Sequence, residues 1–170
     1  MSNLRHKHTN RLSAKRARQL RRVRLVLTWQ TDVVPHLITQ KTLRAMNLAW
    51  LGCGKAHVNV LLVGLEESQS LNAEWRNKNY ATNVLSFPFE LPEGIETSAA
   101  LLGDLVICPE VLIKESEEQG KSLLAHFAHL LVHGLLHLQG YDHETEVDAE
   151  AMESLEVQIL QTAGFSNPYQ

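Results

Sequence analysis

The chain has 170 residues, 44% of them hydrophobic and 21% charged, which suits one globular domain with a real core and leaves no room for two of ordinary size. No apolar run approaches the roughly 20 residues that would cross a bilayer, and no apolar segment of a secretory signal follows the basic N-terminus. The net charge of −3 hides an asymmetry: nine of the 16 Lys and Arg fall in residues 1–24, which hold no Asp or Glu, leaving seven bases against all 19 acids in the rest.

Residues 1–21 therefore read as a basic arm, disordered or helical, ahead of a domain spanning 22–170. A cationic arm on an acidic body suits an anionic partner such as RNA. Two other readings stay open: a solvated tail, and an organelle presequence, which the arm resembles in being Arg-rich and acid-poor but not in its few serines. If the arm binds phosphates, deleting residues 1–21 weakens RNA affinity and flattens its salt dependence; an unchanged salt slope in a binding titration would make it a passive tail. Cys53 and Cys108 are isolated, with no CxxC pair. That predicts free, buried thiols in a reducing compartment, and a cytoplasmic protein.

"RVRLVLTW" at 22–29 alternates Val23, Leu25 and Leu27 with outward positions and predicts a first strand. Asp32 precedes a helical pattern from Pro35 to about Leu51, with Gly52 and Gly54 as its stop. Residues 57–64 predict a second strand, 66–79 a short helix, and 82–89 a third strand whose Pro88 belongs on an edge or at an end. Residues 91–103 read as a loop and "GDLVICP", 103–109, as a fourth strand. Helices follow at 110–119, 121–139 and 144–163, parted by Gly120 and Gly140. The pattern is α+β: a single mixed sheet of about four strands, with helices packed against it.

The helix at 121–139 carries an apolar face of Leu123, Phe127, Leu130, Leu131, Gly134 and Leu138, and a second stripe of His126, His129, His133 and His137. His133 and His137 lie one turn apart, roughly 6 Å along the axis, so their rings can converge on one point. Gly140 can take a left-handed conformation, end the helix and turn the chain so that His143 returns to that point. Three neutral imidazoles suit one tetrahedral zinc per chain and leave a fourth position for water, as catalytic sites do. Zinc proteases of the HExxHxxGxxH type carry a glutamate after the first histidine as general base. Here that position is Gly134, which argues against peptide hydrolysis.

"HGLLHLQGYDH", "LLGDLVICP" and "RNKNYATNVLSFPF", in that set and in the family's order along the chain, resemble the YbeY-type bacterial endoribonucleases from about Arg22 to Gln170. The basic arm is a departure from the family core. The resemblance implies a single-domain, metal-dependent endoribonuclease that cuts single-stranded RNA. It implies rRNA precursors as substrates, maturation of the three-prime end of small-subunit rRNA, contact with the ribosomal small subunit, and a part in ribosome quality control. By position, His133, His137 and His143 match the family's metal ligands and Arg76 its functional arginine.

Physical chemistry supports Arg76 separately, because a guanidinium can bridge two phosphoryl oxygens as charge builds on them, which an ammonium cannot. The alternative is a surface ion pair with an acid such as Glu74. Asp104, Asp142 and His129 are possible outer residues that hold a histidine tautomer; each aspartate can equally cap a turn. Phe87 and Phe89 either stack on bases or fill the core. Two other functions remain in view, a metallopeptidase without its usual base and a ribosome-assembly factor with a structural zinc.

Overall fold

The computed structural model describes residues 24–29, 35–52, 54–90, 94 and 99–170. The basic arm, Asp32, Cys53 and most of the segment between Glu90 and Ala99 lie outside these residues. Four strands, β1 (Arg24–Trp29), β2 (Lys55–Leu62), β3 (Val84–Pro88) and β4 (Ala100–Ile107), form one sheet in the order β1-β2-β4-β3. β1, β2 and β4 run parallel, and β3 lies antiparallel on the edge beside β4. Pro88 is thus at the end of an edge strand, where its missing N–H leaves no ladder bond unmade.

Among the described residues, five α-helices accompany the sheet: α1 (Gln40–Ala49), α2 (Leu65–Arg76), α3 (Pro109–Glu118), α4 (Leu123–His137) and α5 (Glu146–Ala163). The main core joins one face of the sheet (Ala56, Val58, Val60, Leu105 and Ile107) to Met46 of α1, Phe127, Leu131 and Leu135 of α4, and Met152 and Leu160 of α5. α4 is buried on nearly every side, which fits its almost continuously apolar sequence. On the opposite face Leu71 of α2 packs over Leu85, Val106 and Phe87 in a second, smaller core. Among the described residues, no helix is long and apolar enough to cross a membrane.

Most element ends differ from those expected by one to three residues, and two of the differences have a visible cause. The helix predicted from Pro35 starts at Gln40, after a 3-10 turn at Pro35–Leu37. Thr39 is its N-cap: the Thr39 Oγ1 accepts the Thr42 N–H at 3.1 Å, and the Thr42 hydroxyl donates to the Leu37 carbonyl at 2.8 Å. That cap satisfies the free amides five residues later than the apolar pattern suggested. The predicted loop at 91–103 loses its last residues to β4, where pairing steps from His57–Leu101 to Val58–Gly103. Leu102 is the extra residue of a bulge, and the bulge breaks the alternation by which a strand is read. Cys108 is a free, buried thiol, as expected.

Candidate metal centre

α4 ends by the means its sequence suggests. Gly140 has φ +87°, its N–H bonds to the His137 carbonyl at 2.9 Å, and the Tyr141 N–H reaches back to the Leu136 carbonyl at 3.1 Å. A side chain with a Cβ rarely adopts that φ. The chain is caught again at Thr145, whose Oγ1 accepts the Asp148 N–H at 3.1 Å and caps α5. The segment between the two caps carries His143 over the end of α4. Asp142 Oδ1 accepts the His143 N–H at 2.7 Å and so fixes that turn rather than a histidine ring.

The three rings converge. Their centroids are 4.5 Å apart for His133 and His137, 5.0 Å for His137 and His143, and 5.5 Å for His133 and His143. One nitrogen from each lies within 4.8 Å of the others, a group able to hold a metal ion. The Nε2 atoms of His133 and His137 are 3.0 Å apart. Two nitrogens bound to one tetrahedral zinc stand roughly 3.3 Å apart, so the residues fit such an ion with little adjustment. Burial lowers the pKa of His137, the neighbouring His133 and His143 lower it further, and the Tyr141 backbone and Asp142 only partly oppose them. The ring is therefore neutral near pH 7, the form that ligates.

Glu156, on α5, is the residue that sequence reasoning missed. It is fully buried, and its two oxygens accept from His133 Nδ1 at 2.8 Å and His129 Nε2 at 2.7 Å. The Tyr169 hydroxyl donates to the same carboxylate. Burial alone would raise this carboxyl, but the hydrogen bonds from His129, His133 and Tyr169 outweigh it and hold the pKa down to about 2. An ionised carboxylate only accepts, so both histidines must donate to it. The proton of neutral His133 is thereby placed on Nδ1 and its Nε2 lone pair is left facing His137. One signal was present in the sequence: Glu156 falls on the stripe of Met152, Ile159, Leu160 and Ala163, where an apolar residue belongs.

His129 thus lies one carboxylate away from His133. Asp104 does not: it hydrogen-bonds with Asn59 Nδ2 at 2.7 Å, in register with Asn59 and Phe87. Phe87 belongs to the core on the α2 face, so the sheet stands between Asp104 and the histidines. A β-strand sends successive side chains to opposite faces, and the bulge at Leu102 obscures which face Asp104 takes. His126 is buried and meets Glu115 Oε2 at 2.8 Å, away from the cluster.

Gly134 answers a packing need. A Cβ there would meet Leu105 Cδ2 at 2.8 Å and Ser86 Oγ at 3.2 Å, because α4 crosses β3 and β4 at this point. Any larger side chain at 134 would have to displace the ends of the Leu105 and Ser86 side chains. Ser86 Oγ lies 3.4 Å from the Gly134 carbonyl, and among the described residues no histidine hydrogen-bonds to it, so it has no base to make it a nucleophile.

Arg76 is the last residue of α2 and lines, with His133, His137 and His143, one open cleft of about 590 Å³. Its backbone is held by the loop that follows. Asn77 closes the helix at φ +55°, Asn72 Nδ2 donates to the Tyr80 carbonyl at 2.7 Å, and the Thr82 N–H donates to Ser68 Oγ at 3.0 Å. Both Ser68 and Asn72 are buried. Arg76 itself is exposed and makes no ion pair among the described residues, with Glu74 or any other acid.

Residues 27–164 match the family model described as endoribonuclease YbeY. Endoribonuclease YbeY of Stenotrophomonas maltophilia strain K279a is 55% identical over 117 residues, 68% of this chain and 73% of that protein. Endoribonuclease YbeY of Alkalilimnicola ehrlichii is 45% identical over 147 residues, 86% of this chain and 89% of that one. A Thermotoga maritima protein solved in solution shares the fold, with a TM-score of 0.51 at 23% identity, covering 87% of this chain and 99% of that chain.

Proposed function

The chain belongs to the endoribonuclease YbeY family, and from that premise we propose that it cuts single-stranded RNA at the three-histidine cleft. The observation that carries the reading is the convergence of His133, His137 and His143 on one point, with Arg76 lining the same cleft. Three imidazole nitrogens, with no fourth protein donor in the group among the described residues, suit zinc at a catalytic site and speak against a purely structural ion. Bound there, zinc would supply Lewis-acid polarisation of a phosphoryl oxygen and activation of water near neutral pH.

The chain's own residues do the rest. Glu156 holds the His133 tautomer, the capped turn at Gly140–Thr145 presents His143, and Arg76 meets the charge that develops on the phosphoryl oxygens. As substrates we propose rRNA precursors, with maturation of the three-prime end of small-subunit rRNA on the ribosomal small subunit and a part in ribosome quality control; the basic arm supplies phosphate contacts. The support for these substrates is the family and the charge asymmetry of the chain.

Arg76→Ala is expected to slow cleavage of an end-labelled single-stranded RNA by about 100- to 1,000-fold, the usual loss of one preorganised donor to a developing oxyanion. Bound metal and thermal midpoint should not move, because Arg76 is exposed and makes no ion pair among the described residues. Arg76→Lys should recover little, since an ammonium lacks the paired donors. Undiminished cutting by Arg76→Ala would remove the arginine from the reaction.

A further inference from the structure

We propose that Trp75 is a base-stacking platform: a binding subsite on which a nucleobase of single-stranded RNA lies while the neighbouring phosphate is held at Arg76. The inference rests on the endoribonuclease reading and adds a subsite to it. Trp75 is 63% exposed, the second most exposed of the large hydrophobic side chains after Val147 among the described residues. It stands one residue before Arg76 at the C-terminal end of α2 and lines the same cleft as the three histidines. Its ring is not adrift. It meets Phe87 edge-to-face, with centroids 5.6 Å apart and planes at 72°, and Phe87 is itself anchored in the smaller core.

Such a contact fixes the orientation of the indole through its neighbour and leaves ring surface open to the cleft. A large aromatic ring held rigid yet wet gains nothing for the fold from its exposed face. It is suited to a flat apolar partner, and every base has a π-face. Consecutive residues on one helix end would then divide the work, Arg76 on a phosphate and Trp75 on a base. A base within a duplex is covered by its neighbours and cannot lie on the ring, so the subsite selects single strands.

The test is steady-state cleavage of a labelled single-stranded RNA by the metal-loaded wild type, Trp75→Phe and Trp75→Ala. Each is run on the intact RNA and on RNAs carrying one abasic nucleotide, walked along the strand. Trp75→Ala is expected to raise KM on the order of 10-fold with little change in kcat, because stacking is lost equally from bound substrate and transition state. Trp75→Phe, which keeps a ring against Phe87, should retain most of the affinity. At one abasic position the KM of the wild type should rise to that of Trp75→Ala, and the two losses should not add. An unchanged KM in Trp75→Ala, or a penalty that persists in full at every abasic position, would overturn the platform while RNA cleavage stands. No cleavage of any RNA by the wild type would overturn the endoribonuclease reading and the platform with it.

Discussion

Alanine in place of His137 is expected to remove bound metal and lower RNA cleavage by at least about a thousandfold, while the chain still folds. A metal ion held there would contribute several kcal/mol of transition-state stabilisation, and each 1.4 kcal/mol is about a factor of ten. His137 is the middle of the cluster, with its ring 4.5 Å from that of His133 and 5.0 Å from that of His143. Without it, the remaining pair are two ligands from different segments, one on α4 and one beyond the turn. Folding should survive because His137 is the last residue of α4, only half-buried, and alanine favours helix. The check is zinc per chain after dialysis, measured beside cleavage in the same preparation. Metal retained at one per chain with full activity would place the ion elsewhere.

Glu156→Gln is expected to have two effects, a loss of stability on the order of 3 kcal/mol near neutral pH and a fall of about 10- to 100-fold in metal affinity. The carboxylate is fully buried and takes donors from His129, His133 and Tyr169. An amide offers one oxygen, and its NH2 would face an N–H or O–H that needs an acceptor, so at least one buried donor is left without a partner. Once the carboxylate no longer fixes the proton on Nδ1, His133 loses the Nε2 lone pair held ready for the ion. Weaker zinc binding in a chelator competition would show this without any measurement of activity.

The stability loss carries a pH signature. The folded-state pKa of Glu156 is about 2, below the ordinary 4.5, so the stabilisation is present in full above pH 4.5 and is lost as pH falls towards 2. The depression corresponds to on the order of 3 kcal/mol. Urea midpoints of the metal-free wild type and Glu156→Gln should therefore differ most above about pH 5 and converge on acidification. A difference that stays constant down to about pH 2 would mean that the charge of Glu156 contributes nothing and that only its shape matters.

The site shows which features local sequence can carry. Short-range spacing is one of them. His133 and His137 share a helix, Gly140 is three residues on, and His143 follows directly, so the whole cluster lies within 11 consecutive residues. The rigid 1.5 Å rise of a helix and one left-handed turn determine its geometry before any other part of the chain is placed. The order of strands and helices was legible for the same reason, as was the role of Pro88 on an edge. The helix start at Gln40 and the beginning of β4 were not, because a cap and a bulge override the apolar period at those points.

What the sequence by itself determined, then, was the element order, the three-histidine cluster and the glycine that stands where a peptidase of the same spacing carries its glutamate. Tertiary structure alone decided what surrounds that cluster. Glu156 lies 27 and 23 residues along the chain from His129 and His133, the histidines it orients, and it reaches them only because α5 packs along α4. Asp104, plausible from the sequence, is turned to the far face by the bulge at Leu102. Trp75 and Arg76 come to the cleft through the strapping of the 77–83 loop onto α2 and the docking of that helix over β3. Periodicity says which residues share a face of one element; only the packing of elements says which faces meet.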